Sequence, residues 1–466
     1  MTGSTWGLWA LTPLAVTLAL AFATRSALIA IAVGLFVGTL MLGMAPGAGM
    51  NEVFQSSLGN GDFIWICEIV ILIGILFELF KRAGVLAELA RRFTDRRGSR
   101  RSVELSVWGM GFAIVDDYFS PLLTGAVLRP MSDKAGIPRE KLAFLLDSTT
   151  ASVCILVPFT AWGAYLASLV SANSTAVASA KEGLGVFISA IPYNFYPMLL
   201  LVFALLIALR VIPDFGPMRG AERRVRETGA VIRPGARPLL MEDDLELEVP
   251  AGRPPLLFLE LLLPVLLLIG FGATTLVKTG SVKIVEAFML ADSYLIIVLA
   301  ARGRFESVED VASLIIKGAS SVMAALLIVG LAYALNAVTT ELGAAQAIID
   351  SLAETLSPNS LVALTFLIAA AMSFATGTSW GTFALVMPLS LPLAFEYSGG
   401  EVGPLISQTV AAVAGGGIFG DHASPVSDTS VLSSVGAGSD HIDHVVTQLP
   451  YALSVAFLTV LLYVFV

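Results

Sequence analysis

From Met1 to Thr24, and again from Ser26 to Met50, the chain carries no Asp, Glu, Lys or Arg. A helix needs about 20 apolar residues to cross a bilayer core, so each run is long enough to span. Such runs recur along all 466 residues, of which 56% are hydrophobic and only 14% charged, with mean hydropathy +0.84. A soluble chain carries about 25% charged residues, and one of this length would need polar surface for two or three domains. The pattern excludes a soluble enzyme and a disordered chain. A transmembrane barrel would show short alternating segments instead. The chain reads as an all-α polytopic membrane protein with the lipid bilayer as its surroundings. The opening MTGSTWGLWALTPLAV has no basic residue before its apolar run, and is expected to be a first span rather than a cleaved signal peptide.

A formal charge of −9 argues against nucleic acid as a partner. Cys67 and Cys154 both lie in apolar runs and read as neither a disulfide framework nor a zinc site. Apolar segments fall at 8–24, 26–44, 62–80, 103–128, 142–170, 185–211, 255–277, 284–301, 319–338, 360–396, 404–435 and 447–466. Four are interrupted by Gly, Pro and polar residues: 103–128 at DDYFSP, 142–170 at VPFTAWG, 360–396 at TGTSWGT and 404–435 at GGGIFGDHASPVSD.

Basic residues concentrate in 81–101, in 129–141 and in the central stretch 213–254, which holds seven arginines. Lys and Arg are retained on the cytoplasmic side, which places all three inside. The segment 103–128 must then enter and leave on one face, as a re-entrant hairpin. Counting crossings makes 360–396 a second hairpin from the opposite face. GFAIVDDYFSPLLTGAVLRPM (111–131) resembles SFATGTSWGTFALVMPLSLPL (373–393), and 146–163 aligns loosely with 413–430. The expectation is two inverted-topology repeats, each with a re-entrant hairpin and a broken transmembrane helix, the pattern of secondary transporters. The divisions are 1–101 N-terminal scaffold helices, 102–170 first hairpin and broken helix, 171–211 a scaffold helix, 212–254 a cytoplasmic loop read as a plain solvated linker, 255–359 second-half scaffold helices, 360–435 second hairpin and broken helix, and 436–466 a cytoplasmic loop and last helix. Hairpins and broken helices form the transport unit.

Helix breaks in lipid must be satisfied by protein, water or ligand. The first tip offers Asp116, Asp117 and Ser120, and the first broken helix Asp147, Ser148, Thr149 and Thr160. The second tip offers Thr376, Thr378, Ser379 and Thr382, and the second broken helix Asp421, His422, Ser424, Ser427, Asp428 and Thr429. Carboxylate, hydroxyl and carbonyl oxygens suit hard cations. Clustered carboxylates repel one another's charge, and they can hold Na⁺ when ionised or protons when neutral. That is the minimal chemistry of a cation/proton antiporter, with Na⁺ at Asp117, Asp147, Asp421 and Asp428 and no catalytic residue. Alone, Asp117 or Asp147 reads as a helix cap. Asp133 reads as a turn residue, Trp162 and Trp380 as packing, and Asp62, Glu68, Glu78 and Glu260 as interfacial or structural. His422 is a candidate proton relay. His441 and His444, in SDHIDH, are expected on the cytoplasmic loop as a polar cap or pH-sensing surface. No Walker motif supports ATP drive, and no cofactor is implied.

The strings VDDYFSPLLTGAVLRPMSDKAGIPREKLAFLLDSTTASVCILVPFTAWGAYL (115–166), TGTSWGTF (376–383), DFGPM (214–218) and GGGIFGDHASPVSDTSVLSSVGAGSDHIDHVVTQLPYAL (415–453) resemble the NhaC family of Na⁺/H⁺ antiporters. The resemblance implies a multi-pass transporter of the bacterial inner membrane in the ion-transporter superfamily, with a scaffold, a moving transport unit and a homodimeric assembly. It also implies an alternative on the same fold, a Na⁺- or H⁺-coupled exchanger of a small carboxylate or amino acid. A passive channel would favour one continuous polar pore.

Overall fold

The computed structural model describes residues 6–465 apart from 25, 46, 60, 89–98, 113, 114, 116, 159, 175, 178, 240–253, 280–282, 345, 346 and 348–359. Among the described residues every regular element is helical. A 3-10 turn, Gly7–Leu11, leads into α1 (Thr12–Thr24), α2 (Ala27–Met41), α3 (Ala48–Leu58) and α4 (Gly61–Ala83). Then come α5 (Arg100–Met110), α6 (Phe119–Lys134), α7 (Arg139–Leu156), α8 (Ala161–Ala172), α9 (Ala180–Ala190), α10 (Phe195–Ala208) and α11 (Gly216–Thr228). A π turn, Phe258–Leu262, opens the second half, followed by α12 (Leu263–Thr279), α13 (Ile284–Ala301), α14 (Val308–Ser321) and α15 (Met323–Glu341). The chain closes with α16 (Leu361–Thr376), α17 (Ser379–Tyr397), α18 (Pro404–Ala423), α19 (Asp428–Ala437) and α20 (His441–Phe465).

Four described helices are long and apolar enough to cross a membrane: Phe63–Ala83, Phe258–Thr275, Ile284–Ala301 and His441–Phe465. Two bent pairs raise this to six: Lys181–Tyr193 with Phe195–Ala208, bent by 44°, and Val308–Ser321 with Leu326–Glu341, bent by 47°. The sequence reading takes 185–211 and 319–338 each as one apolar segment. Pro192, inside the 3-10 turn Ile191–Tyr193, and Asn194, with ψ of 71°, end the first helix of the earlier pair. Large apolar side chains such as Leu266, Ile269, Ile297 and Phe457 lie exposed, as a lipid-facing surface requires.

A helix–break–helix pair followed by another occurs twice, in α5–α8 and in α16–α19. Gly377 ends α16 at φ +72°, a left-handed conformation that glycine adopts without a side-chain clash. Thr160, Thr378 and Ser427 then cap α8, α17 and α19, each accepting a backbone N–H with its hydroxyl. Pro158 and Pro425 sit within two of the breaks, where a residue without an N–H costs no helical bond. The interruption of 142–170 comes at VPFTAWG as expected, between the end of α7 at Leu156 and the Thr160 cap of α8, and Asp147, Ser148 and Thr149 lie on the unbroken α7 before it. The polar run DSTTAS does not break the helix because its hydroxyls bond back one turn: Thr149 Oγ1 to the Leu145 carbonyl at 2.9 Å, and Thr150 Oγ1 to that of Leu146 at 2.6 Å.

Helix α19 packs on α6 and α7, which ties the end of the second half to the first. Glycines permit the contact: a Cβ on Gly125 would stand 2.4 Å from the Gly436 carbonyl carbon, and one on Gly436 would stand 2.3 Å from the Pro121 oxygen. Close backbone approach through small residues is how helices associate without a hydrophobic drive between them. Helix α18 is set equally close to α16, where a Cβ on Gly420 would meet the Phe374 nitrogen at 2.1 Å.

The first part of the central stretch is not a solvated linker, contrary to the sequence reading. Met218 and Glu222 on α11 are buried. Lys141, itself buried, bonds Asp214 at 2.9 Å and lies 3.5 Å from Glu104 and 3.4 Å from Glu222. Arg224 forks onto Glu140 at 2.8 and 2.9 Å. The apolar faces of α11 and this paired charge hold residues 214–239 against the helical body. Acids at the span edges are likewise paired: Glu78 with Lys81 at 2.7 Å and Lys317 at 3.2 Å, and Glu260 with Arg302. Asp133 pairs with Arg139 at 3.0 Å beside the turn at Gly136.

Two outcomes test this packing. Gly436→Val should destabilise the protein by about 1–3 kcal/mol through overpacking, seen as a lower thermal midpoint in detergent. Lys141→Ala removes the cation shared by Asp214, Glu104 and Glu222, leaving Arg100 to pair with both glutamates and Tyr451 to bond Asp214, and should cost about 1.5–3 kcal/mol, with the 214–239 segment more open to proteolysis.

Candidate functional site

Three of the four breaks converge. The α18–α19 break, Ser424–Ser427, folds back so that the start of α19 surrounds the end of α18. Asp421 Oδ1 accepts from Ser427 Oγ at 2.7 Å and from Thr429 Oγ1 at 3.0 Å, while its Oδ2 accepts from Ser379 Oγ at 3.1 Å. Thus the second hairpin tip supplies one of three hydroxyls around one buried carboxylate. The first tip reaches the same place, since Tyr118 donates its hydroxyl to Asp428 Oδ2 at 3.0 Å. Asp428 Oδ1 accepts the Thr429 N–H at 2.8 Å. Asp117, also buried, accepts from the Trp162 indole N–H at 2.9 Å, and Trp162 stacks edge-on against Trp380 with ring centroids 5.6 Å apart.

Asp147 forms an adjoining centre. Its Oδ2 accepts from Ser430 Oγ and Gln448 Nε2, each at 2.9 Å, and its Oδ1 from Ser433 Oγ at 3.2 Å. Ser430 Oγ lies equally 2.9 Å from the Asp421 carbonyl, so one hydroxyl joins the two centres. Asp147 is near the middle of α7, about 12–14 Å of helical rise from either end. Among the described residues no Lys or Arg bonds Asp147, Asp421 or Asp428, and no group of three or more His, Cys, Asp or Glu side chains is disposed to hold a metal. The donors are hydroxyls, an indole, a phenol and an amide. Such oxygen-rich surroundings fit a hard monovalent cation far better than a soft metal.

The other residues expected at the site take varied places. Ser120 is buried at the start of α6, and Asp116 lies outside the described residues. Thr378 Oγ1 accepts the Gly381 N–H at 3.4 Å as a cap, and Ser424 Oγ accepts that of Val426 at 3.3 Å. Thr149 donates to its own helix. His422 is fully buried; its Nε2 bonds Ser148 Oγ at 3.1 Å and its Nδ1 the Tyr196 hydroxyl at 3.2 Å. His441 and His444 are not on a solvated loop. They open α20, are 4% and 0% exposed, and both bond Ser434.

Sequence reasoning missed Tyr118, Trp162, Ser430, Ser433 and Gln448. Ser430 and Ser433 fall three residues apart on one face of α19, which the cap at Ser427 could have suggested. Gln448 is a lone amide in an apolar run, a position where a polar group needs a partner. Tyr118 and Trp162 carry no such signal, because aromatic side chains are ordinary packing.

Over 98% of this chain and 90% of its own length, an uncharacterized protein of Haemophilus influenzae is 29% identical. The malate-2H⁺/Na⁺-lactate antiporter of Bacillus subtilis is 30% identical over 34% of this chain and 32% of its own. The crystal structure of the Alcanivorax borkumensis YdaH transporter aligns over 94% of this chain and 97% of that one at 14% identity and a TM-score of 0.41, a likeness too slight to fix topology. The model of the Na⁺/H⁺ antiporter family matches residues 153–466, more than half of the chain. Together with the apolar helices, that match makes this protein a multi-pass membrane transporter belonging to the Na⁺/H⁺ antiporter family.

Proposed function

We propose that the protein exchanges Na⁺ for protons at the linked carboxylate centres of Asp421, Asp428, Asp147 and Asp117. The observation that carries this is the surround of Asp421: three hydroxyls, from Ser379, Ser427 and Thr429, on one buried carboxylate. A hydroxyl both donates and accepts. With the carboxylate bare, the hydroxyls donate to it. With Na⁺ present, they turn their lone pairs to the ion and join the carboxylate oxygens as ligands. With a proton present, the acid is neutral and needs no ion. Na⁺ and protons therefore compete for one charge.

Carrying a bare carboxylate through hydrocarbon is costly, about 2.5–3.5 kcal/mol on insertion scales. In this reading the hairpins and broken helices move against the scaffold only when the aspartates are neutralised by Na⁺ or by protons. The two hairpins serve as gates, related as inverted repeats, with the arginine-rich face on the cytoplasmic side of a bacterial inner membrane. Scaffold helices supply the contact of a homodimer. A second reading, exchange of a small carboxylate coupled to Na⁺, draws on the printed activity of the Bacillus subtilis relative. A substrate carboxylate would then meet the N–H groups at the start of α17 or α19.

In reconstituted vesicles, an imposed Na⁺ gradient should drive proton flux without organic solute. Asp421→Asn and Asp428→Asn should reduce it to background while folding and insertion persist. Flux that appears only on addition of malate, lactate or an amino acid would replace the first reading with the second. Normal turnover and Na⁺ affinity in both variants would remove these residues from the site.

A further inference from the structure

The antiporter reading requires protons to reach the buried centres, and the two histidines at the start of α20 stand between Asp147 and the arginine-rich face. His441, His444 and Gln448 lie at spacings of three and seven, on one face of α20. Gln448 bonds Asp147, which places His444 above the carboxylate and His441 one turn nearer the helix start. His444 Nε2 lies 3.7 Å from Asp147 Oδ2 and has no hydrogen-bond partner, although the ring is fully buried. On its other side His444 Nδ1 meets Ser434 Oγ at 2.8 Å, and Ser434 Oγ meets His441 Nδ1 at 3.0 Å. His441 Nε2 meets the Pro425 carbonyl at 2.8 Å.

These contacts constrain the hydrogens. A carbonyl only accepts, so His441 Nε2 carries a hydrogen and, in the neutral ring, Nδ1 is the acceptor. Ser434 Oγ also lies 2.8 Å from the Ser430 carbonyl, so its one hydrogen has two acceptors in reach; turned to His441 Nδ1, the hydroxyl accepts from His444 Nδ1–H. That leaves a lone pair on His444 Nε2, aimed at Asp147. Outside His441 the chain meets the docked central segment. Asp440 accepts the Arg237 N–H at 2.8 Å, Asp443 pairs with Arg233 at 2.7 Å, and Arg139 donates to the Gly438 carbonyl at 3.1 Å. The groups facing the two rings are thus Asp147 from α7, Ser430, Ser433 and Ser434 from α19, His422 and Pro425 from the end of α18 and its break, and Asp440, Asp443 and Gln448 around α20.

We propose that Asp147, His444, Ser434 and His441 form the proton path between the binding centre and the arginine-rich face; this rests on the antiporter reading. A proton on Asp147 passes to His444 Nε2 across the single open gap. The Nδ1 hydrogen of His444 passes to Ser434, the Ser434 hydrogen to His441 Nδ1, and the Nε2 hydrogen of His441 leaves to water when that ring turns from Pro425. One proton enters and one leaves, and each ring exchanges its tautomer until rotation resets it. His422 is not on this path, since its nitrogens are taken by Ser148 and Tyr196.

The test uses the full chain in vesicles and two independent variants, Ser434→Ala and His444→Gln, with two readouts: Na⁺-driven proton flux across a range of pH, and ²²Na⁺/Na⁺ self-exchange, which needs no net proton movement. Both variants should lose at least about tenfold in proton flux, within the range of positioned proton-transfer groups, and change its pH profile, while self-exchange stays near that of the parent. Parent-like proton flux and pH profile in either folded variant would overturn the path, as would equal loss of both readouts in both variants, which marks a structural role. Absence of Na⁺-driven proton flux in the parent would instead overturn the antiporter reading, and the path with it.

Discussion

The Ser430 hydroxyl, 2.9 Å from both the Asp147 carboxylate and the Asp421 carbonyl, is the contact on which the site depends. It exists because α18 stops at Ala423 and α19 restarts at Asp428, with Pro425 in between and Ser427 capping the new helix. The restart swings Ser427, Thr429, Ser430 and Ser433 around two carboxylates from different helices. Gly125 and Gly436 let α19 lie deep enough against α6 for this to happen. Without the break, Asp421 would lose the Ser427 and Thr429 hydroxyls and keep only that of Ser379.

Much of this was legible in the chain. The apolar runs at 62–80, 255–277, 284–301 and 447–466 fall on helices long enough to cross a membrane, whereas the two charge-free N-terminal runs form shorter apolar helices, Gly7–Ala21 and Leu28–Met41; the four polar interruptions marked where helices stop. GDHASPVSD carried its meaning in full: a carboxylate, a proline and capping hydroxyls within nine residues. LDSTTASV precedes its break on a whole helix, because its hydroxyls bond their own backbone. SDHIDH misled. Two Asp–His pairs look like a wet loop, yet Arg233 and Arg237 of the central segment cover them. That segment looked like a linker because its anchors, Lys141, Glu140 and Arg100, lie more than seventy positions away in sequence. Pairings over such distances leave no periodic trace.

Charge is distributed in two layers. On one face, Arg and Lys pair with Asp and Glu in a lattice that spans Glu104, Lys141, Asp214 and Glu222. At the candidate site, by contrast, Asp147, Asp421 and Asp428 bond neutral donors. Fixed cations would satisfy those carboxylates permanently. Neutral hydroxyls stabilise them while leaving the charge open to a mobile ion, which is what exchange requires.

The claim that Na⁺ and protons compete for the same carboxylates can be measured on the purified protein without a membrane. Na⁺ added to the detergent-solubilised protein in weakly buffered solution should release protons in proportion to the Na⁺ bound, and Asp421→Asn should reduce that release. Saturable Na⁺ binding with no proton release at any pH would contradict the account.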